Sequence, residues 1–169
     1  REWKLENPTY SIYSGYYSFR SGSFSVWCVC SGCLGRKRIF ENTSYSKGGG
    51  IYSLSSSGDW THWLTNVQIF DNTSNGNGGG IYLNIWSRLN LINTIISDNI
   101  SVGHGAGIFL AGGANIELQH ATISGNMVGE GDVFGAGIYS DGGTATLSNS
   151  IVYYNRREGD FGINYNQNG

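Results

Sequence analysis

The sequence predicts an all-β solenoid: a parallel β-helix of about four to five coils, with three short strands per coil and asparagine ladders at the turns. Three observations predict it. A glycine motif returns four times, an asparagine returns five times, and a leucine column runs in register with both.

The glycine motif reads KGGGIYS at 47–53, NGGGIYL at 77–83, HGAGIFL at 104–110 and FGAGIYS at 134–140. The second marker is the end of IFEN, IFDN, ISDN, ISGN and VYYN, which places Asn42, Asn72, Asn99, Asn126 and Asn155 at intervals of 30, 27, 27 and 29 residues. Nine residues separate each of the first three asparagines from the Ile of the next glycine motif. The fourth separation is twelve, because GEGDVF adds three. Eight residues before the later asparagines stand Leu64, Leu91, Leu118 and Leu147. Six before them stand Asn66, Asn93, His120 and Asn149.

Each unit therefore divides into the G-I-[YF] segment, a second strand such as LNLIN (89–93) or IELQH (116–120), and a third such as NTIIS (93–97) or ATISG (121–125). Period-2 alternation turns Leu91 with Ile96, and Leu118 with Ile123, to one interior. Strands this short cannot be helices, and hairpins would not keep a constant period. A coil that climbs one strand spacing per turn does, each strand pairing in parallel with its copy in the next coil. The recurring asparagines are expected at αL bends, where their amides bond backbone and each other at about 4.8 Å per coil. Asn42, Asn72 and Asn99 also begin N-x-S/T triplets, but an internal ladder leaves no room for a glycan.

The repeats occupy 39–169. Residues 1–38, rich in Tyr, Ser, Phe and Trp, lack the register and are expected to form an irregular first coil and cap over the apolar end. With Gly162-Ile163 another coil begins, so the solenoid ends are candidates for self-association or for contact with further domains.

Composition narrows the function. A net charge of −2 with 13% charged residues leaves no electrostatic footprint for nucleic acid. No apolar run is long enough for a membrane helix. No signal peptide is visible at Arg1, which fits a mature or excised fragment. Cys28, Cys30 and Cys33 crowd into CVCSGC. They read as one disulfide with a free thiol, or as three thiols, and a zinc site would need a fourth, distant ligand.

GGGI or GAGI followed by [IV]xxN resembles the repeats of right-handed parallel β-helix proteins. They are similar in particular to the GGA[ILV]/FxxN repeats of chlamydial polymorphic outer-membrane proteins and related bacterial surface proteins. The resemblance covers 39–163, with Ile or Val in place of the Phe of FxxN and GGG or GAG in place of GGA. It implies a right-handed coil and an extracellular or cell-surface setting. It also implies a wide choice of roles, since β-helices include polysaccharide lyases, polygalacturonase-like hydrolases, phage tailspikes, adhesins and passive rods.

Three constellations are candidates for function. The first is the carboxylate column Glu41, Asp71 and Asp98, expected about 5 Å apart in adjacent coils and about 10 Å in alternate ones. That spacing suits a glycosidase pair, with Asp71 and Asp98 catalytic, or oxygen ligation of Ca²⁺. The second is His120, either a general base beside a carboxylate such as Glu117 or one rung replaced in the Asn66/Asn93/Asn149 column. The third is aromatic. Tyr52, Tyr82, Phe109 and Tyr139 are expected to face outward as an exposed ladder, with Trp60, Trp63 and Trp86 nearby, a surface suited to stacking on sugars. The leading expectation is a non-catalytic surface scaffold or adhesin that needs no cofactor and binds a polysaccharide or surface glycan. The alternatives are a polysaccharide lyase or glycoside hydrolase, and the repeat unit of a self-assembling filament.

Overall fold

A computed structural model describes residues 11–13, 37–54 and 61–159. Its chain opens with β1 (Ser11–Tyr13). The next coil holds β2 (Lys37–Phe40), β3 (Thr43–Ser44), β4 (Ile51–Leu54) and β5 (Thr61–Thr65). It is followed by β6 (Val67–Phe70), β7 (Thr73–Ser74), β8 (Ile81–Leu83) and the ten-residue β9 (Arg88–Ser97). Then come β10 (Ile100–Ser101), β11 (Ile108–Leu110) and a second ten-residue strand, β12 (Asn115–Ser124). The last coil contains β13 (Met127–Val128), β14 (Ile138–Ser140), β15 (Thr144–Ser148), β16 (Ile151–Tyr153) and β17 (Arg156–Arg157).

All pairings are parallel, and they form three sheets. The first runs β1-β4-β8-β11-β14, the second β17-β13-β10-β7-β3, and the third β15-β12-β9-β6-β2, with β5 on β9 and β16 on β12. This is the all-β solenoid of about four coils that the repeats predict. The partition into strands differs from the expected one. The second and third strands of a coil are two arms of one bent sheet, and the third sheet is made of two-residue strands that follow each asparagine.

Single αL residues make the corners. Asn66, Asn93, His120 and Asn149 have φ of 56°, 52°, 53° and 49°. Asn93 and His120 bend β9 and β12 in mid-strand, while Asn66 parts β5 from β6 and Asn149 lies between β15 and β16. Glu41, Asp71, Asp98, Gly125 and Tyr154 make the next corner, with φ of 54°, 53°, 56°, 68° and 52°. This corrects the expectation for the recurring asparagines. The αL residue is the one before Asn42, Asn72, Asn99, Asn126 and Asn155, and reversal of the chain there points each asparagine into the coil.

Inside, the five asparagines form one continuous ladder. Asn42, Asn72, Asn99 and Asn126 each donate from Nδ2 to Oδ1 of the next rung, at 2.8, 2.9, 2.9 and 2.8 Å. Each also donates its backbone N–H to that same oxygen, at 3.0–3.2 Å. The other Nδ2 proton of Asn99 reaches Ile69 O at 3.0 Å, and that of Asn126 reaches Ile96 O at 3.0 Å. A polar group buried this completely is tolerated only when its donors and acceptors are met.

The recurring glycines allow the coils to approach. A Cβ at Gly50, Gly80 or Gly107 would stand no more than 2.7 Å from the carbonyl oxygen of the matching glycine in the next coil. It would also stand 3.0–3.1 Å from Nδ2 of Asn72, Asn99 or Asn126, so that column must lack a side chain. Two residues past each of the first three asparagines, Ser44, Ser74 and Ser101 are also buried, because alternation turns both inward. Their hydroxyls bond the glycine loops, Ser44 Oγ to Lys47 O at 3.0 Å and Ser74 Oγ to Ser46 O at 2.8 Å. Both polar residues of the N-x-S triplets at 42, 72 and 99 are thus held within the fold.

The apolar core is stacked columns: Ile51, Ile81 and Ile108; Leu64, Leu91 and Leu118; Ile69, Ile96 and Ile123. In the column Leu89–Ile116–Ala145 the earliest coil places His62. Its Nε2 is buried without a hydrogen-bond partner, and burial pushes its pKa down. The expected cap, the domain boundary at 38/39 and CVCSGC lie outside the described residues, apart from β1 and residues 37–38.

The ladder carries a direct test. Asn99→Ala strands the N–H of Asn72, removes one acceptor of the Asn72 Nδ2 and takes the Asn99 amide away from Ile69 O. Unfolding in urea should show a loss of about 2–5 kcal/mol. Asn149→Ala, at an exposed αL corner, should cost well under half as much.

Candidate functional site

The carboxylate column lies on the corner between the bent sheet and the two-residue strands. Glu41, Asp71 and Asp98 are exposed there in three successive coils, and Gly125 and Tyr154 continue the column. Partial burial, with the charges of Asp98 and Glu41 added, raises the pKa of Asp71. Among the described residues no three His, Cys, Asp or Glu side chains converge to hold a metal ion. The column is a row at coil pitch.

His120 occupies a different corner. It is exposed, at φ 53°, and five residues of chain separate it from the acid corner at Gly125, about 16 Å if fully extended. Glu117 accepts a hydrogen bond from Asn90 Nδ2 at 3.1 Å. In the same corner column Asn93 Nδ2 donates to Asn66 Oδ1 at 2.5 Å. The structure therefore places Asp71 and Asp98 at successive rungs of one corner and His120 at another.

The aromatic ladder departs from expectation in exposure. Tyr52, Tyr82, Phe109 and Tyr139 are in register on the outer side of the first sheet. Their rings stack at centroid distances of 5.2, 4.9 and 5.5 Å. Tyr82 and Phe109 are nevertheless only 4% exposed, and Tyr52 and Tyr139 are half-buried. At coil pitch each ring covers its neighbour's faces. Lys47 Nζ lies 3.2 Å from Tyr82 Oη and 5.0 Å from that ring's centroid, and Asn84 Nδ2 donates to Tyr52 Oη at 3.0 Å. His104 closes the far end, 4.4 Å from the Tyr139 ring, its Nδ1 accepting the Phe134 N–H at 2.9 Å. This ladder is a second apolar cluster, and its ring faces are not open to a sugar.

Two tryptophans do stand free. Trp63 is 61% exposed on β5 and Trp86 59% exposed at the turn before β9; Trp60 lies outside the described residues. Trp63 is the first of an outward row in which Asn90, Glu117 and Thr146 follow in register. Beside it runs the row Thr61, Arg88, Asn115 and Thr144, and on the other side Thr65, Ile92, Gln119 and Ser148. The result is a flat face of β5, β9, β12 and β15 with one large ring, one cation, one carboxylate and several amides and hydroxyls. Asn90 and Gln119 are the members that sequence reasoning passed over. The alternation that buries Leu89 and Leu91 already turned Arg88 and Asn90 to this side, where Arg88 is exposed but Asn90, at 9% exposure, is almost covered.

The family described as "Right handed beta helix region" matches residues 14–169. Comparison with curated proteins and with solved structures gives no match.

Partial burial of Asp71, with the charges of its column neighbours Asp98 and Glu41 added, sets a pH dependence. Because the folded-state pKa of Asp71 is raised, its ionisation opposes folding, and stability is regained as pH falls through that raised pKa. Asp71→Asn should raise the melting temperature at pH 7 by an amount worth less than about 1 kcal/mol, an advantage that fades towards pH 3. Asparagine also keeps the αL corner. Millimolar Ca²⁺ should leave both melting curves in place; a calcium-dependent rise in the parent protein that Asp71→Asn abolishes would restore the metal reading.

Proposed function

Because the chain belongs to the right-handed β-helix family, whose coil serves unrelated roles through whatever stands on its faces, we propose that it is a non-catalytic extracellular or cell-surface scaffold, adhesin-like in role. On this reading it binds a polysaccharide or surface glycan on the face of β5, β9, β12 and β15. The observation that carries the reading is Trp63, exposed beside the Asn90–Glu117 hydrogen bond on a face otherwise lined by Arg88, Gln119 and threonines. A tryptophan ring matches the C–H face of a pyranose, while neighbouring amides, a carboxylate and a guanidinium exchange hydrogen bonds with its hydroxyls. The likeness of the repeats to those of chlamydial and related bacterial surface proteins supports the surface placement. Placement of His120 at a different corner from Asp71 and Asp98 counts against an acid–base pairing of these residues in the lyase and hydrolase alternatives.

A glycan array and a panel of soluble polysaccharides test this reading. Retention on at least one glycan is expected, reduced about tenfold or more by Trp63→Ala with an unchanged melting temperature. Reducing-end or unsaturated product that disappears in Asp71→Ala or Asp98→Ala would replace the scaffold with an enzyme.

A second reading, assembly through the solenoid end, has its own observation. Leu147 and Val152 are 40% and 44% exposed, whereas Leu118 and Ile123, one coil earlier in the same columns, are 1% and 0%. Among the described residues, β14, β15 and β17 have no strand beyond them, and Asn155 has no further rung. Light scattering across concentration should show self-association that Leu147→Lys suppresses. A monomer at the highest concentration reached would end this reading without touching the first.

A further inference from the structure

Trp86 occupies a backbone position that favours glycine. It is the third residue of a tight turn, Asn84–Ser87, with Ser87 N–H bonded to Asn84 O at 3.0 Å, and its φ is 63°. The in-register positions of the next two coils are Gly113 and Gly142, with φ of 73° and 79°. A side chain at αL costs on the order of 1–2 kcal/mol, so the fold by itself prefers glycine here.

The turn is also pinned. Asn84 N–H and Ser87 Oγ both bond Ser53 O of the preceding coil, at 2.9 and 3.0 Å, and Ile85 N–H bonds Asn84 Oδ1 at 2.9 Å. One edge of the indole rests on Gly113, where a Cβ would come within 3.0 Å of it. The turn is thus pinned and one edge of the ring packed, yet the ring is still 59% exposed, with Ile85 beside it at 50%. A strained, anchored and solvent-facing tryptophan is the mark of a residue kept for contact with a ligand.

Trp86 and Trp63 stand in adjacent coils and both are exposed. Trp63 is in register with Asn90, four residues past Trp86, so their backbone positions are about 14 Å apart, with Arg88 midway between Trp86 and Asn90. Resting on the glycan-binding reading above, we infer that Trp86 is a second aromatic subsite. Together the two rings read an extended internal stretch of a β-linked pyranose chain rather than a single sugar or a chain end. Flat rings presented at two fixed points select a straight polymer whose sugars expose C–H faces at intervals, and presentation from a pinned turn keeps the ordering cost of binding low.

The test uses the full chain with hexasaccharides and disaccharides of β-1,4-linked glucose, N-acetylglucosamine and xylose, followed by tryptophan fluorescence and calorimetry. At least one hexasaccharide should bind about tenfold or more tighter than its disaccharide, and Trp86→Gly should erase that advantage. Glycine is the residue of the equivalent turns, so this variant should keep the melting temperature and separate lost contact from lost folding. If Trp63→Ala removes binding while Trp86→Gly leaves the chain-length preference intact, the second subsite is wrong and the general reading stands. If Trp86→Gly unfolds the protein, the ring is structural and the inference falls. If no hexasaccharide or polysaccharide binds the parent protein, both fall together.

Discussion

A row of amides buried in an apolar coil can survive only if each finds the next, and that requirement organises this molecule. The Oδ1 of each rung from Asn72 to Asn155 takes two donors from the preceding asparagine, its backbone N–H and its Nδ2. Such bonds work at one separation, so the ladder holds neighbouring coils at the spacing of a parallel sheet. The coil lengths can vary, and do, by inserting residues in loops such as 129–134, because the ladder and not the loop sets the rise.

From the ladder the rest follows in steps. An asparagine can point inward only if the chain reverses just before it, hence the αL residues Glu41, Asp71, Asp98, Gly125 and Tyr154. At the spacing the ladder sets, a Cβ at Gly50, Gly80 or Gly107 would have room neither beside the next coil's glycine carbonyl nor beside the asparagine amide. The acidic column is thereby explained without a ligand. Aspartate tolerates αL better than most residues, and the corner is exposed. The same logic applies to His120, which holds a corner where Asn66, Asn93 and Asn149 hold the others.

Function, in such a frame, belongs to positions the frame does not use. The Tyr52–Tyr82–Phe109–Tyr139 stack is used: its rings cover one another and reinforce the first sheet. Trp63 and Trp86 are not. One stands on a flat face and the other at a corner where the fold would settle for glycine.

By itself the sequence determined the architecture, because a solenoid writes its fold as a period. Asn72 to Asn99 to Asn126, with Leu91 and Leu118 in step, already states which residues stack and which point inward. Alternation within RLNLI likewise told Arg88 and Asn90 from Leu89 and Leu91. Three things were decided only in three dimensions. Backbone φ placed the corner at the residue before each asparagine, which residue types alone left open since Asp and Asn both accept αL. Mutual burial closed the tyrosine ladder, because alternation says which side of a strand a ring is on but not whether its neighbours one coil away cover it. Distance around the coil parted His120 from Asp71 and Asp98. A linear spacing that looks short in sequence becomes a corner-to-corner separation once the strand between them is extended.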